Sequence, residues 1–230
     1  MKKRGVYVLY DTLKLASKLT DSVCVGFSGG KDSAVTLDLC FRYFKHVQPY
    51  FMYIVKDLEF QERTLRYYEK TYNTKILRVP HFMLSEFLKY GSYCMPDDDV
   101  PIVKTIDLYT YIRKQTGIYW LAGGERIADS MVRRAMIKHS GSIDRSRGRI
   151  YPIAYWKKAH VMDYVKRYKL PLSLESRVLG FSFRSLMPEE MLKIKNKFPK
   201  DFEKIKRVFP LIEASVKHHE YYGNVHNENN

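Results

Sequence analysis

The feature that most restricts the fold is a short strand followed by a glycine-bearing loop and an apolar helix. Residues 22–27 (SVCVGF) form a β-rich, mostly apolar run, which is typical of a parallel strand buried on both faces. The loop 28–33 (SGGKDS) follows directly. Residues 34–44 then carry closely spaced apolar side chains, which predicts a helix packed against a sheet. This junction predicts the first strand–helix unit of an α/β domain.

The same alternation continues along the chain. It predicts further strands over residues 50–55, 75–79 and 117–122, separated by helices over residues 59–72 and 106–116. Strands that alternate with helices at this interval build a parallel sheet. We therefore predict an α/β fold with a doubly wound, mostly parallel sheet and helices on both faces. Its ligand site is expected at the carboxyl ends of the strands.

The chain is expected to hold one α/β domain and one extension. The α/β domain is predicted over residues 1–187, with an irregular insertion or lid at about 80–105 that is rich in Gly, Pro and Asp. The extension, residues 188–230, is Lys-rich and predicted to be helical, with breaks at Pro199 and Pro210 and a frayed tail.

Composition excludes several classes of protein. Hydrophobic residues make up 45% of the chain, enough to bury a core, so wholesale disorder is excluded. No run approaches the roughly 18–20 apolar residues that span a bilayer, and no secretory signal is recognisable at the start. Three cysteines, Cys24, Cys40 and Cys94, are too few for a disulfide scaffold or a Cys-only metal site. We expect a reduced, cytoplasmic protein without membrane association.

The charge balance points to anionic partners. Forty Lys and Arg residues against 25 Asp and Glu residues leave a net charge of +15. Residues 133–169 hold eleven Lys and Arg and two acids, Asp144 and Asp163, so over half of the excess lies in this window. A basic patch favours polyanions. This window predicts a nucleic-acid or acidic protein partner.

The loop 28–33 has the chemistry of an anion site. Gly29 and Gly30 allow successive backbone N–H groups to turn toward one concavity, and the start of the following helix adds its positive dipole end. The hydroxyl groups of Ser28 and Ser33 can donate hydrogen bonds to phosphate oxygens. The alternative is a Gly-Gly turn with an ordinary helix cap.

The two charged residues of this loop have separate expected roles. Lys31 supplies a positive point charge for a phosphate. Asp32 either holds a magnesium ion or caps the helix. The loop is not a Walker A sequence, because Asp32 follows the lysine where that motif has Ser or Thr.

A second constellation follows the predicted strand 117–122, in the sequence GGERIADSMVRR at residues 123–134. Gly124 permits close approach of a ligand, and Arg126 and Arg133 offer planar, bidentate contacts to phosphate or sulfate. Asp129 and Ser130 lie at the predicted start of a helix, where Asp129 would cap it or orient an arginine. The alternative is a capped amphipathic helix with surface arginines.

These two segments carry a resemblance to a known family. The loop 28–33 resembles the PP-loop of the adenine nucleotide alpha-hydrolase superfamily, and residues 123–134 resemble its G-x-R-x-x-D/E-S-x-x-R motif. Within the superfamily, the chain is similar to the branch that contains phosphoadenosine-phosphosulfate (PAPS) reductases, the small subunit of sulfate adenylyltransferase and a DNA-phosphorothioation protein. The similarity covers roughly residues 20–185.

The resemblance implies an ATP pyrophosphatase or adenylyltransferase that uses ATP and Mg²⁺. Residues 28–33 would bind the nucleotide together with Gly124, Arg126, Asp129, Ser130 and Arg133. Lys31, Asp32 and Arg126 would be catalytic, with Asp32 as the magnesium ligand. An acceptor would be activated with release of pyrophosphate, in nucleic-acid modification or sulfur metabolism. Because cysteine pairs are lacking, we expect neither an iron–sulfur cluster nor zinc.

Two other functions stay open. One is a PAPS reductase-like protein that binds a sulfonucleotide without the usual C-terminal cysteine, since no cysteine follows Cys94. The other is a non-catalytic module that binds a nucleotide or nucleic acid. The sequence leaves the acceptor, any partner protein and the oligomeric state open.

Overall fold

The computed structural model of the chain describes residues 5–180, 183 and 185–222. Within them the chain forms six strands and eleven helices. The strands are β1 (Ser22–Gly26), β2 (His46–Tyr53), β3 (Leu77–Pro80), β4 (Leu121–Ala122), β5 (Ile143–Asp144) and β6 (Arg149–Ile150). The helices are α1 (Gly5–Leu19), α2 (Lys31–Tyr43), α3 (Glu59–Tyr72), α4 (Phe82–Lys89), α5 (Thr105–Thr116), α6 (Met131–Ser140), α7 (Lys158–Arg167), α8 (Leu174–Val178), α9 (Pro188–Lys197), α10 (Pro199–Val208) and α11 (Ile212–Tyr222).

The strands form one sheet in the order β3-β2-β1-β4-β6-β5. Strand β1 pairs in parallel with β2 and β4, and β4 pairs in parallel with β6, whereas β5 runs antiparallel to β6. The chain therefore moves outward from β1 in one direction and returns to continue on the other side through β4. This order places a topological switch point between β1 and β4, where open α/β sheets bind ligands at the carboxyl ends of their strands. The predicted fold class is confirmed.

The chain divides into two compact units. Unit 1 comprises Met1–Met52, Leu65–Val79 and Tyr109–Leu172, and unit 2 comprises Tyr53–Thr64, Pro80–Leu108 and Ser173–Asn230. The predicted insertion and the described part of the C-terminal extension thus fall in unit 2. The domain boundary at residue 187 stays a prediction.

Unit 1 is built around the first strand–helix junction. Val23, Cys24 and Val25 of β1 are fully buried, as the apolar run predicts for a central strand. Helix α2 packs on β1 and on α7. Between these helices the buried carboxylate of Asp38 accepts hydrogen bonds from Tyr72 Oη at 2.6 Å and Tyr164 Oη at 2.5 Å. This network satisfies the charge of Asp38 inside the unit and holds α2 in position.

Unit 2 has its own apolar core. The core includes Val55, Met191, Phe202 and further buried side chains of α9, α10 and α11. The buried carboxylate of Asp201 accepts hydrogen bonds from the backbone N–H groups of Glu59 at 2.8 Å and Phe60 at 3.0 Å. Asp201 thereby satisfies donors at the first turn of α3, where a negative charge is stabilising.

The segment 80–105, predicted to be irregular, is partly helical. The segment 80–105 contains helix α4, whose N-cap His81 accepts a hydrogen bond from the backbone N–H of Met83. Histidine is an uncommon cap, which is why only an irregular segment was predicted there.

The breaks at Pro199 and Pro210 are present, between α9, α10 and α11. The predicted frayed tail, residues 224–230, lies outside the described residues. None of the described helices combines the length and the hydrophobicity that crossing a membrane requires.

Candidate functional site

The loop 28–33 connects β1 to α2 at the switch point of the sheet. Gly29 has φ +75°, in the left-handed region that favours glycine. Gly30 is the N-cap of α2 and has extended backbone dihedrals, and no side chain caps this helix end. The first N–H groups of a helix have no partner within the helix. This helix start therefore presents backbone donors and its positive dipole end to an anion.

The two serines of the loop brace its backbone. Ser33 Oγ accepts a hydrogen bond from the Ser28 backbone N–H at 3.1 Å and donates one to the Gly30 carbonyl at 2.9 Å. The two hydroxyl oxygens lie 3.1 Å apart, with Ser28 Oγ donating. Ser33 is buried and Ser28 is exposed. Ser33 thus stabilises the conformation of the loop, whereas the Ser28 hydroxyl group faces solvent.

The charged residues of the two predicted segments meet in one chain of ion pairs. Lys31 Nζ lies 2.5 Å from Asp32 Oδ2, and Asp32 Oδ1 lies 3.1 Å from Arg126 Nε. Arg126 Nη2 lies 2.6 Å from Asp129 Oδ1. The Arg126 side chain is only 7% exposed. The geometry therefore joins the loop after β1 to the loop after β4 through Asp32 and Arg126.

Arg126 keeps unused hydrogen-bonding capacity. Its buried Nη1 has no partner among the described residues, and its Nε faces Asp32 Oδ1 at ion-pair distance without an aligned hydrogen bond. A buried guanidinium group with unsatisfied donors is costly unless an anion completes it. Arg126 is thus suited to a bidentate contact with a phosphate or sulfate group.

The residues around Arg126 take supporting positions. A Cβ on Gly124 would lie 3.0 Å from the backbone C and O atoms of Asp32, so the two loops approach each other closely here. Asp129 Oδ2 accepts hydrogen bonds from the Arg126 backbone N–H at 3.0 Å and from Arg133 Nη1 at 2.9 Å. Ser130 caps α6 by accepting from the Arg133 backbone N–H. Asp129 orients Arg126, while the half-exposed Arg133 forms the rim.

An ion pair between a buried arginine and a half-buried glutamate lies beside this site and was missed in the sequence. Arg149 Nη2 lies 2.9 Å from Glu125 Oε1, and both are held near Gly123, whose absent Cβ would clash with them. Burial alone would lower the pKa of Arg149, but the Glu125 carboxylate and nearby tyrosine hydroxyl groups raise it overall. Glu125 Oε2 and Arg149 Nε and Nη1 lack partners within the described chain. The sequence signal for this pair was the run Gly123-Gly124, because residues without side chains leave room for large neighbouring side chains.

Within the basic window 133–169, the segment 143–150 forms a hairpin. Strands β5 and β6 pair there, and Asp144 anchors the turn by accepting hydrogen bonds from Ser146 Oγ at 2.7 Å and Arg147 Nε at 2.5 Å. Arg149 is only 5% exposed, whereas the Arg147 side chain is 51% exposed. Not every arginine of the basic window 133–169 is thus available to a polyanion, and two-residue strands leave no periodic pattern that would distinguish a buried arginine from a surface one.

The three cysteines are free and buried. Burial raises the pKa of the Cys24, Cys40 and Cys94 thiols. A raised pKa lowers the thiolate fraction at neutral pH, and the thiolate is the nucleophile. None of these thiols thus has the environment of an activated cysteine.

The family of the chain follows from comparison with known proteins. A family model described as the phosphoadenosine phosphosulfate reductase domain matches residues 22–174, which include both loops of the site. The chain belongs to this family. The resemblance to PP-loop adenine nucleotide alpha-hydrolases is confirmed.

One relative and two solved structures extend the comparison. The uncharacterized protein MJ0066 of Methanocaldococcus jannaschii is 31% identical over 215 residues, or 87% of this chain, but the chain spans only 44% of that protein. The U34-tRNA thiolase NcsA of Methanococcus maripaludis has a TM-score of 0.52 at 15% identity, covering 93% of this chain and 79% of the thiolase. The ammonia-dependent NAD synthetase of Campylobacter jejuni has a TM-score of 0.51 at 15% identity, covering 94% and 93%. These structures share the fold of this PAPS reductase family member.

The comparisons also correct one expectation. The NcsA structure carries a 4Fe-4S cluster, so the expectation that excluded an iron–sulfur cluster is wrong. The reasoning rested on three cysteines without close pairs. Such a count excludes only a cluster held entirely by thiolates of one chain, and it says nothing about what this fold accommodates.

Proposed function

We propose that this member of the PAPS reductase family binds ATP with Mg²⁺ and activates an acceptor with release of pyrophosphate. The observation that carries the proposal is Arg126, which is buried, unsatisfied at Nη1 and paired with Asp32 beside an uncapped helix start. Backbone donors, a lysine and a buried guanidinium group thus converge on one place. This combination suits a ligand with several adjacent negative charges.

In this proposal the loop 28–33 binds the terminal phosphates. Lys31 exchanges its partner Asp32 for a phosphate oxygen, which frees the Asp32 carboxylate. No group of three or more His, Cys, Asp and Glu residues in the described regions is placed to hold a metal. One carboxylate together with nucleotide phosphates is a common Mg²⁺ environment, so Asp32 fits this ion. When bound, Mg²⁺ would neutralise charge on the phosphates.

The reaction asks mainly for positioning and charge neutralisation. An acceptor nucleophile forms a bond to the α-phosphorus, and the bond from that phosphorus to the bridging oxygen breaks, with its electron pair leaving on pyrophosphate. Arg126 stabilises negative charge on the α-phosphate or on an anionic acceptor. Asp129 keeps the guanidinium group in this orientation. Preorganised charges of this kind supply much of the catalysis in such transfers.

We propose a role in nucleic-acid modification or sulfur metabolism. A net charge of +15, concentrated in residues 133–169, supports a polyanionic acceptor or an acidic partner that delivers one. One neighbour in fold acts on tRNA as a thiolase, and the family is named for a sulfonucleotide reductase. Both names support acceptors connected with sulfur.

A second candidate is binding of a sulfonucleotide, which the family model favours. Arg126 and Lys31 would bind its sulfate or phosphate groups as they would those of ATP. Reduction by this chain alone is disfavoured because Cys94, like the other two cysteines, is buried and has a raised thiol pKa. The reductant would then be a partner's thiol.

Pyrophosphate release from ATP and Mg²⁺ tests the proposal, with candidate acceptors supplied. Lys31→Ala should abolish release, whereas Lys18→Ala, which removes an exposed lysine of α1, should leave it unchanged. Release of sulfite from a sulfonucleotide with thioredoxin would favour the second candidate. ATP binding without pyrophosphate release under every condition would contradict the proposal. If a sulfonucleotide also gave no sulfite, a non-catalytic module would remain.

A further inference from the structure

A pocket lies on unit 1 next to the segment that carries Arg126. It has a volume of about 360 Å³, within the range of small-ligand sites, about 300–1,000 Å³. Its walls are largely apolar and aromatic, formed by Ile127, Tyr155 and Trp156, and its basic side chains are Arg134, Lys138 and Lys157.

The pocket is held in shape from behind. The Ile127 backbone N–H donates to the Ala154 carbonyl at 2.9 Å, which ties the segment after Arg126 to the segment before Tyr155. Trp156 is 2% exposed, and its Nε1–H donates to the Leu9 carbonyl at 2.8 Å. Tyr155, in contrast, is 44% exposed. A fixed wall thus carries one free aromatic ring.

The basic side chains of the pocket are available. Among the described residues, Arg134, Lys138 and Lys157 have no carboxylate within ion-pair distance, and all three are exposed. Arg134 Nε donates to the Ile127 carbonyl at 3.3 Å, which orients the guanidinium group and leaves its two Nη groups free for another acceptor. No acidic residue lines the pocket.

Helix α6, which carries two of these cations, is exposed along most of its length. Ile137 is fully buried, whereas Met131 and Val132 at its first turn are 83% and 79% exposed. Exposed apolar and basic side chains thus lie on the same helix, beside the pocket.

We infer that this pocket, Ile127, Arg134, Lys138, Tyr155, Trp156 and Lys157, binds an unpaired nucleotide of RNA. A base stacks on Tyr155, and the flanking phosphates bind the three cations. Stacking on an aromatic side chain beside basic groups is how single strands are bound, and unpaired bases of this kind occur chiefly in RNA loops, bulges and ends. Assigning this RNA as the acceptor rests on the proposed function, whereas its binding does not.

The test is the affinity of a fluorescent hairpin RNA with an unpaired loop, measured by anisotropy at several salt concentrations without ATP. Tyr155→Ala should weaken binding about 5- to 150-fold, the equivalent of roughly 1–3 kcal/mol for one stacked base. Tyr155→Phe should retain it. Neutralising Arg134, Lys138 and Lys157 together to Gln should lower the slope of log affinity against log salt by about 2, from three lost phosphate contacts.

The matched control neutralises Lys18, Lys197 and Lys200, which are exposed elsewhere, and removes the same net charge. The pocket is not the RNA site if this control lowers the salt slope as much as the pocket variant does. It is also not the RNA site if Tyr155→Ala binds RNA with wild-type affinity. Tighter binding of the duplex stem alone, or of single-stranded DNA with the loop sequence, would overturn unpaired RNA as the occupant. Lys31→Ala should bind RNA normally, so a chain that binds RNA but releases no pyrophosphate refutes only the proposed function.

Discussion

The substitution Gly124→Ala tests whether the two loops of the site must approach as closely as they do. The new Cβ would lie 3.0 Å from the backbone C and O atoms of Asp32 and 3.2 Å from the backbone N of Ser33. Ordinary contacts between such atoms are about 3.5–4.0 Å. The start of α2 must therefore move by roughly 0.5 Å, which is the tolerance within which a binding site has to be held.

We expect this displacement to appear in nucleotide binding. Overpacking against backbone costs about 1–3 kcal/mol. If the bound state needs the present loop geometry, this cost weakens ATP binding about 5- to 150-fold, because about 1.4 kcal/mol corresponds to a factor of ten. Isothermal titration calorimetry with ATP and Mg²⁺ measures the change.

The control is Gly117→Ala. Gly117 has φ +68°, so alanine strains the backbone by about 1–2 kcal/mol, but its Cβ would meet nothing within 4 Å. Urea unfolding should show a comparable loss of stability in both variants, with weaker ATP binding in Gly124→Ala alone. Unchanged ATP affinity in Gly124→Ala would refute the reasoning that the loop geometry serves the nucleotide.

Three further predictions concern single side chains. Arg126→Lys keeps the charge but loses the planar fork, and should weaken ATP binding at least about tenfold by calorimetry, since hydrogen bonds to charged groups contribute about 1.5–3 kcal/mol; equal affinity would contradict its role. Arg149→Ala should lower the free energy of unfolding by about 1–3 kcal/mol in urea, because it removes the cation that pairs with the half-buried Glu125 carboxylate, whereas Arg145→Ala should change it by less than about 0.5 kcal/mol. Burial raises the pKa of Glu175 to about 8, so the folded state binds the carboxyl proton more tightly than the unfolded chain does. The free energy of unfolding should therefore fall by on the order of a few kcal/mol as the pH rises from about 5 to about 9. Glu175→Gln should flatten that profile, and an unchanged slope would contradict the assignment.

The sheet and the main loop were predictable because their signals are local. A strand buried on both faces has to be apolar, and Val23 to Val25 are; a loop that needs φ above zero has to contain glycine, and Gly29 has φ +75°. Arg126 was predictable as a candidate from its place after the strand that ends in Gly123-Gly124. Its pairing with Asp32 across ninety-four residues was not, because no local pattern encodes such a contact.

The missed features depend on tertiary burial. Arg149 belongs to the charge-rich run 140–149, whose composition indicates solvent exposure, and only the pairing of β5 with β6 turns it inward beside Glu125. The pocket beside Tyr155 is likewise formed by two segments, 127–138 and 155–157. They become neighbours through the hydrogen bond from the Ile127 N–H to the Ala154 carbonyl. The count of charged residues located the basic window 133–169, but it could not tell which arginines of that window are exposed and which are buried.

A crystal structure of the chain grown with ATP and Mg²⁺ tests the central claim most directly. We predict that the triphosphate lies against the first N–H groups of α2, that Lys31 has left Asp32 for a phosphate oxygen, and that an anionic oxygen lies within hydrogen-bonding distance of Arg126 Nη1. The claim is contradicted if ATP at saturating concentration binds elsewhere or not at all while the Lys31–Asp32–Arg126 ion pairs persist.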